Sequence, residues 1–131
     1  MKSLVVDDDE LSRVVLKEML ASNYDCDIAS DGEEAFKLYL NAMDAMRPYD
    51  LILMDIVMPG CDGHTALAKI RAHEKGCGIE ASKIAKIIML TSLDDPKTIL
   101  ECYQNGATSY LVKPVSNTKL IQVLKNFRLI C

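Results

Sequence analysis

The sequence predicts an α/β domain, doubly wound around a five-stranded parallel sheet. Three observations carry that reading. Short apolar runs alternate five times with amphipathic helical patterns. Most of the runs are continuous rather than alternating, as strands covered on both faces require. Strands separated by helices run parallel, with right-handed crossovers and helices on both faces.

The elements follow in order. Residues 3–6 form the first strand, and Leu11, Val14, Val15 and Met19 place one apolar face on the helix after it. Residues 26–29 make the second strand. Ser30-Asp31-Gly32-Glu33 reads as a capping box opening a helix with the stripe Ala35, Leu38, Tyr39, Ala42 and Met46. Residues 51–54 are the third strand, and a helix from Asp62-Gly63 carries Leu67 and Ile70. Gly76-Cys77-Gly78 forms a loop before the fourth strand, residues 84–90. The fourth helix has Asp95 as N-cap, Pro96 at its first position and Gly106 past its end. Residues 109–112 are the last strand, and the last helix carries Leu120, Val123, Leu124 and Phe127.

At 131 residues the chain suits one domain, residues 1–131, able to bury a core without staples. No repeat, low-complexity tract or linker interrupts it. A net charge of −4 argues against a nucleic-acid or anionic-membrane binder. No apolar run approaches the roughly 20 residues of a membrane span, and the N-terminus does not read as a signal peptide. The five cysteines include no Cys-x-x-Cys pair, so they are expected as reduced, small hydrophobes in a cytoplasmic protein.

In such sheets ligands gather at the carboxyl ends of the strands. Asp7 and Asp8 follow the first strand, Asp55 the third, Thr91 and Ser92 the fourth, and Lys113 and Pro114 the fifth. Three carboxylates, a hydroxyl pair and an ammonium thus converge on one rim. The carboxylates would raise one another's pKa unless a cation were present. Oxygen donors without His or Cys point to a hard ion, and Mg²⁺ suits a site with few protein ligands. Thr91 and Lys113 are superfluous for metal alone but suit an arriving phosphoryl group, whose oxygens need donors. Asp55 is then the nucleophile that forms an acyl phosphate.

Other polar residues have plainer explanations. Asp9 and Glu10 suit a helix N-terminus, Asp31 is a cap, and Asp50 is expected in solvent. His64 and His73 lack partner spacing and are expected on a solvated face. Taken singly, Thr91 would be a buried hydroxyl and Lys113 a surface lysine.

The set Val-Val-Asp7-Asp8, Leu-Met-Asp55-Ile-Val-Met-Pro59-Gly-Cys-Asp-Gly63, Leu-Thr91-Ser92 and Tyr110-Leu-Val-Lys113-Pro114 resembles the receiver domain of two-component response regulators. The resemblance spans the chain and implies a (βα)5 flavodoxin-like three-layer sandwich. It implies Asp55 as phosphoacceptor, and Asp7, Asp8 and the Val57 carbonyl as Mg²⁺ ligands beside it. Thr91 becomes the phosphate-sensing hydroxyl, Tyr110 the aromatic switch and Lys113 the phosphoryl counter-charge, with a cis bond before Pro114. The implied function is a phosphorelay switch, not an enzyme, that assists its own phosphorylation and dephosphorylation. The implied phosphodonor is a histidine kinase or phosphotransfer protein. Output would pass to a protein partner, as in a stand-alone, chemotaxis-type regulator, since the chain stops after the fifth helix. Cys61 replaces a common Met, and Val57 and Leu93 are apolar where many relatives carry polar groups, which bears on the lifetime of the phosphoryl group.

Two other classes use related chemistry. A phosphatase of the haloacid dehalogenase type needs an acid two residues after its nucleophile, where this chain has Val57. A flavodoxin-like FMN carrier needs a hydroxyl- and amide-rich loop after the first strand, where Asp7-Asp8-Asp9 would repel the phosphate.

Overall fold

The computed structural model describes residues 1–58, 60, 62–92 and 95–130. The chain runs β1 (Lys2–Val6), α1 (Glu10–Leu20), β2 (Asp25–Ala29), α2 (Gly32–Asp44), β3 (Leu51–Asp55), α3 (Gly63–Gly76), β4 (Lys86–Thr91), α4 (Pro96–Gln104), β5 (Ser109–Val112) and α5 (Asn117–Asn126). All pairings are parallel, in the order β2-β1-β3-β4-β5. The chain steps outward from β1 to β2, then returns across β1 to β3. The reversal leaves a crevice at the carboxyl ends of β1 and β3.

Alternation along each strand divides the core into two layers. Leu4, Val6, Ile52, Met54, Ile87 and Met89 face α2, α3 and Cys102 of α4. Val5, Leu51, Leu53, Ile88 and Leu90 face α1 and α5. The result is the expected three-layer sandwich. At roughly 1.5–3 kcal/mol for each large side chain fully buried, these two layers dominate the stability.

Local signals set most helix starts. The carboxylates of Asp9, Asp31, Asp62 and Asp95 and the hydroxyl of Ser116 each accept the N–H three residues on, as N-caps do. In the second helix Asp31 is the cap, as expected, while the capping box read from Ser30 to Glu33 moves by one position: Ser30 donates to the Glu34 carboxylate at 3.3 Å.

Several expected faces differ. In α1 the buried residues are Leu16 and Leu20, while Leu11, Val14 and Val15 are exposed and only Met19 of the predicted stripe packs against the core. Helix α2 ends at Asp44, which leaves Met46 in the left-handed region and 87% exposed. Phe127 caps the end of α5 and is exposed rather than buried. Strand β4 begins two residues later than predicted because the Ala85 N–H is taken by the Glu74 carboxylate at 2.9 Å. Its carboxyl end gains Thr91, which pairs with Val112.

Of the cysteines, Cys26, Cys77 and Cys102 are free thiols. Cys102 is a buried small hydrophobe as expected, but Cys77 is exposed at the end of α3. Cys61 and Cys131 lie outside the described residues.

Candidate functional site

The rim is built by strands that run out of apolar residues at one level. Asp7 follows β1, and its backbone N–H donates to the Ala29 carbonyl at 3.1 Å, so the chain is still held to β2 where the acid points out. Asp55 is the last residue of β3, and the following Ile56 N–H bonds the Leu90 carbonyl at 3.0 Å. Thr91 ends β4, and its carbonyl accepts the Lys113 N–H at 2.7 Å, which fixes the start of the β5–α5 connection. The bond between Lys113 and Pro114 is cis.

These constraints bring the predicted carboxylates together. Oxygen atoms of Asp7, Asp8 and Asp55 lie within 4.8 Å of one another. Asp7 is fully buried, Asp55 nearly so, and Asp8 is exposed. The Lys113 ammonium bridges the two buried acids, 2.7 Å from Asp7 Oδ2 and 2.9 Å from Asp55 Oδ2. Asp7 Oδ1 accepts the Asp9 N–H at 3.0 Å, and the Arg13 guanidinium holds the Asp7 carbonyl at 2.7 Å. Arg13 was not anticipated; a lone arginine one turn into a helix carries no mark of a partner.

The electrostatics follow from burial. Desolvation raises the Asp55 carboxyl above its ordinary 3.8, with the nearby Asp7 charge acting in the same direction, against the pull of Lys113 and the Val57 N–H. Burial opposes the charge on Lys113, but the bonds to Asp7 and Asp55 outweigh it and raise its pKa. Three carboxylates facing one ammonium leave an excess of negative charge among oxygen donors. That donor set fits a hard divalent cation that keeps part of its water shell.

The remaining expected residues fall into place unevenly. Thr91 is buried at the β4 end of the rim. Val57 follows Asp55 and is 71% exposed. Tyr110 on β5 is half-buried, its ring edge-on to Tyr103 of α4 at 6.2 Å. Pro59 and Leu93 lie outside the described residues. Asp50 is exposed as expected, yet its carboxylate accepts the Lys2 N–H at 2.9 Å.

The two histidines are half-buried rather than on a solvated face. His73 lies between α2 and α3, its Nδ1 3.0 Å from the Tyr39 hydroxyl and its ring edge-on to Tyr39. His64 contacts α4, with Nε2 3.6 Å from Glu101 and Nδ1 3.4 Å from Asn105. Helix–helix packing supplies partners that no spacing within one helix could reveal.

Comparison with known proteins is consistent with this geometry. The sequence profile of the response regulator receiver domain matches residues 3–125. A two-component response regulator of rice (Oryza sativa subsp. japonica) is 34% identical over 126 residues, spanning 96% of this chain and 93% of that protein. The osmosensing histidine protein kinase SLN1 of Saccharomyces cerevisiae is 31% identical over 128 residues, covering 96% of this chain but only 10% of the kinase. Among solved structures, a chain of the CheX–CheY–BeF3–Mg²⁺ complex from Borrelia burgdorferi superposes with a TM-score of 0.82 at 31% identity, covering 97% of this chain and 89% of that one.

Proposed function

Because the chain belongs to the response regulator receiver domain family, we propose that it is a phosphorelay switch whose phosphoacceptor is Asp55. The observation that carries this reading is the Lys113 ammonium bridging Asp7 and Asp55 beside the exposed Asp8. Asp7, Asp8, Asp55 and the Val57 carbonyl would hold Mg²⁺, which would neutralise charge on an incoming phosphoryl group. Asp55 supplies the attacking oxygen. Lys113 would donate to a phosphoryl oxygen in exchange for one of its carboxylate partners, and the Thr91 hydroxyl would donate to another. The domain assists this chemistry and its reversal but turns over no separate substrate, so it is a switch rather than an enzyme.

The donor reading is a histidine kinase or a phosphotransfer protein. An apolar groove of about 400 Å³, lined by Leu11, Val15, Pro114 and Val115 together with Lys113, opens beside the acids. The exposed face of α1 continues it. A donor that seats apolar surface there would bring its phosphoryl group to Asp55. Output passes to a protein partner, and neither nucleic-acid binding nor membrane insertion is part of the proposal. Among the described residues no helix is long and apolar enough to cross a membrane. The cell compartment proposed is the cytoplasm.

Switching is proposed to run from Thr91 to Tyr110. A phosphoryl group draws the hydroxyl inward and makes room for the aromatic ring to turn in. Thr91→Ala should therefore accept the phosphoryl group yet capture no more partner from lysate with beryllofluoride than without it. A full beryllofluoride-dependent gain in capture by this variant would refute the coupling.

The exposed Val57 borders the approach of water to a phosphoryl group on Asp55, and Leu93 is proposed to border it from the next loop. Apolar side chains there leave that water unoriented. Installing polar ones as Val57→Asn/Leu93→Glu should speed decay about tenfold, equivalent to ~1.4 kcal/mol of barrier. Decay is followed after donor removal; equal rates in the variant and the wild type would show that these side chains do not set the lifetime.

A further inference from the structure

Helix α3 carries a buried ion pair that the phosphoryl chemistry does not use. Glu74 is 3% exposed, with Oε1 accepting from Arg71 Nη1 at 2.6 Å and Oε2 from the Ala85 N–H at 2.9 Å. Arg71 makes three further bonds. Nη1 reaches the Ala85 carbonyl at 2.8 Å, Nε the Gly106 carbonyl at 2.8 Å, and Nη2 the Thr108 hydroxyl at 3.4 Å. One guanidinium thus joins α3 to the start of β4 and to the turn between α4 and β5.

The turn is shaped around that side chain. Gly106 sits at φ +100, and a Cβ there would lie 2.8 Å from Arg71 Cγ. Beyond it, the Thr108 N–H donates to the Ile87 carbonyl at 2.8 Å, and the Thr108 hydroxyl accepts the Ile87 N–H at 3.1 Å. Tyr110 follows two residues later. Among the described residues its hydroxyl makes no hydrogen bond, and its ring meets Tyr103 of α4. Its position is therefore set by the β5 backbone and by the spacing of α4, which meet at the turn that Arg71 bonds.

We propose that Arg71, held by Glu74, is a positioning residue for the switch: it fixes the α4–β5 turn and so favours the resting position of Tyr110. This rests on the reading of Tyr110 as the switch aromatic. A forked guanidinium spanning two carbonyls, a hydroxyl and a carboxylate is specific to one arrangement of those groups. Any rearrangement of the turn lengthens some of its bonds, and that differential interaction biases the two-state equilibrium.

The test follows Tyr110 by NMR in the full chain, with ¹³C-labelled tyrosine rings, before and after adding Mg²⁺ and beryllofluoride. In the wild type Tyr110 should move on activation; an unmoved ring there refutes the switch reading itself. Arg71→Lys keeps a cation against Glu74 but cannot span the turn. Its Tyr110 signal should lie part-way to the activated position without beryllofluoride. The Ala107 and Thr108 amides should exchange about tenfold faster, while β1 and β3 keep wild-type protection. A Tyr110 signal at the wild-type resting position overturns the proposal. So does faster exchange spread evenly over the sheet, which marks a role in stability alone. Thr108→Val removes the hydroxyl end of the tie, together with the acceptor of the Ile87 N–H, and leaves Glu74 paired. It should shift Tyr110 in the same direction by less, and it decides the matter if Arg71→Lys does not fold; no shift in that variant overturns the proposal.

Discussion

Asp55→Asn should accept no phosphoryl group from a small phosphodonor and Mg²⁺, whereas the wild type should gain one base-labile group. Asp55 joins burial at the rim, contact with Lys113 and a position at the end of β3. The same substitution should stabilise the metal-free fold. Burial raises the folded Asp55 pKa above 3.8, so the folded chain holds that proton more tightly than the unfolded chain. Stability from this group is present below pH 3.8 and lost as the pH rises through the raised value; at neutral pH the buried carboxylate is a burden. Asn keeps an oxygen for Lys113 without the charge. The metal-free Tm should therefore be higher in the variant and should fall less as pH rises toward neutrality. Mg²⁺ at a hundred times its Kd should stabilise the wild type by about 2.7 kcal/mol, and the variant by less. Labelling of Asp55→Asn at the wild-type rate would sink the assignment, and equal metal-free Tm values would sink the electrostatic account.

The largest loss of stability from a single added methyl is expected at Gly63→Ala. Gly63 opens α3, and its N–H donates to the Ile56 carbonyl at 2.8 Å. A Cβ there would collide with the Asp55 carbonyl oxygen and stand 2.9 Å from both Ile56 Cα and Met89 Cε. Two of those three atoms are backbone and cannot swing away. Helix propensity alone would favour Ala over Gly by about 1 kcal/mol. Overpacking against backbone outweighs it, and the net cost should be about 3 kcal/mol, near the upper end for a crowded core. Because the displaced atoms belong to Asp55 and its neighbour, the initial rate of phosphorylation should fall as well. Gly76→Ala is the control, since a Cβ at Gly76 meets nothing within 4 Å. Denaturant midpoints compare the two. A Gly63→Ala protein as stable as the wild type would show that α3 can withdraw from β3 at little cost.

Much of the fold was legible because its signals are local. Strands β1, β3 and β4 each contain a continuous apolar run, and four of the five helices open on an aspartate that caps them. The predicted acids at the strand ends do meet, since parallel strands of one sheet bring all their carboxyl ends to the same rim. The errors lie where two apolar faces compete or where a polar residue is buried. On α1, Leu11, Val14 and Val15 formed the more obvious stripe, yet Leu16 and Leu20 face the sheet. His64 and His73 read as solvated, and Arg71 and Glu74 gave no signal at all, because a titratable side chain on a helix carries no mark of what will pack against it.

The sequence alone determined the order of elements, the doubly wound class and the residue types at each strand end. Periodicity, caps and turn residues act within a few positions of the chain, so they can be read without knowing what lies across the fold. Only the tertiary structure decided that Lys113 spans from β5 to two acids, 106 and 58 residues away, and that Arg71 ties α3 to the turn before β5. Those contacts depend on strand order and on the angle at which helices settle onto the sheet. Both are set by packing summed over the whole core, and no segment contains that sum.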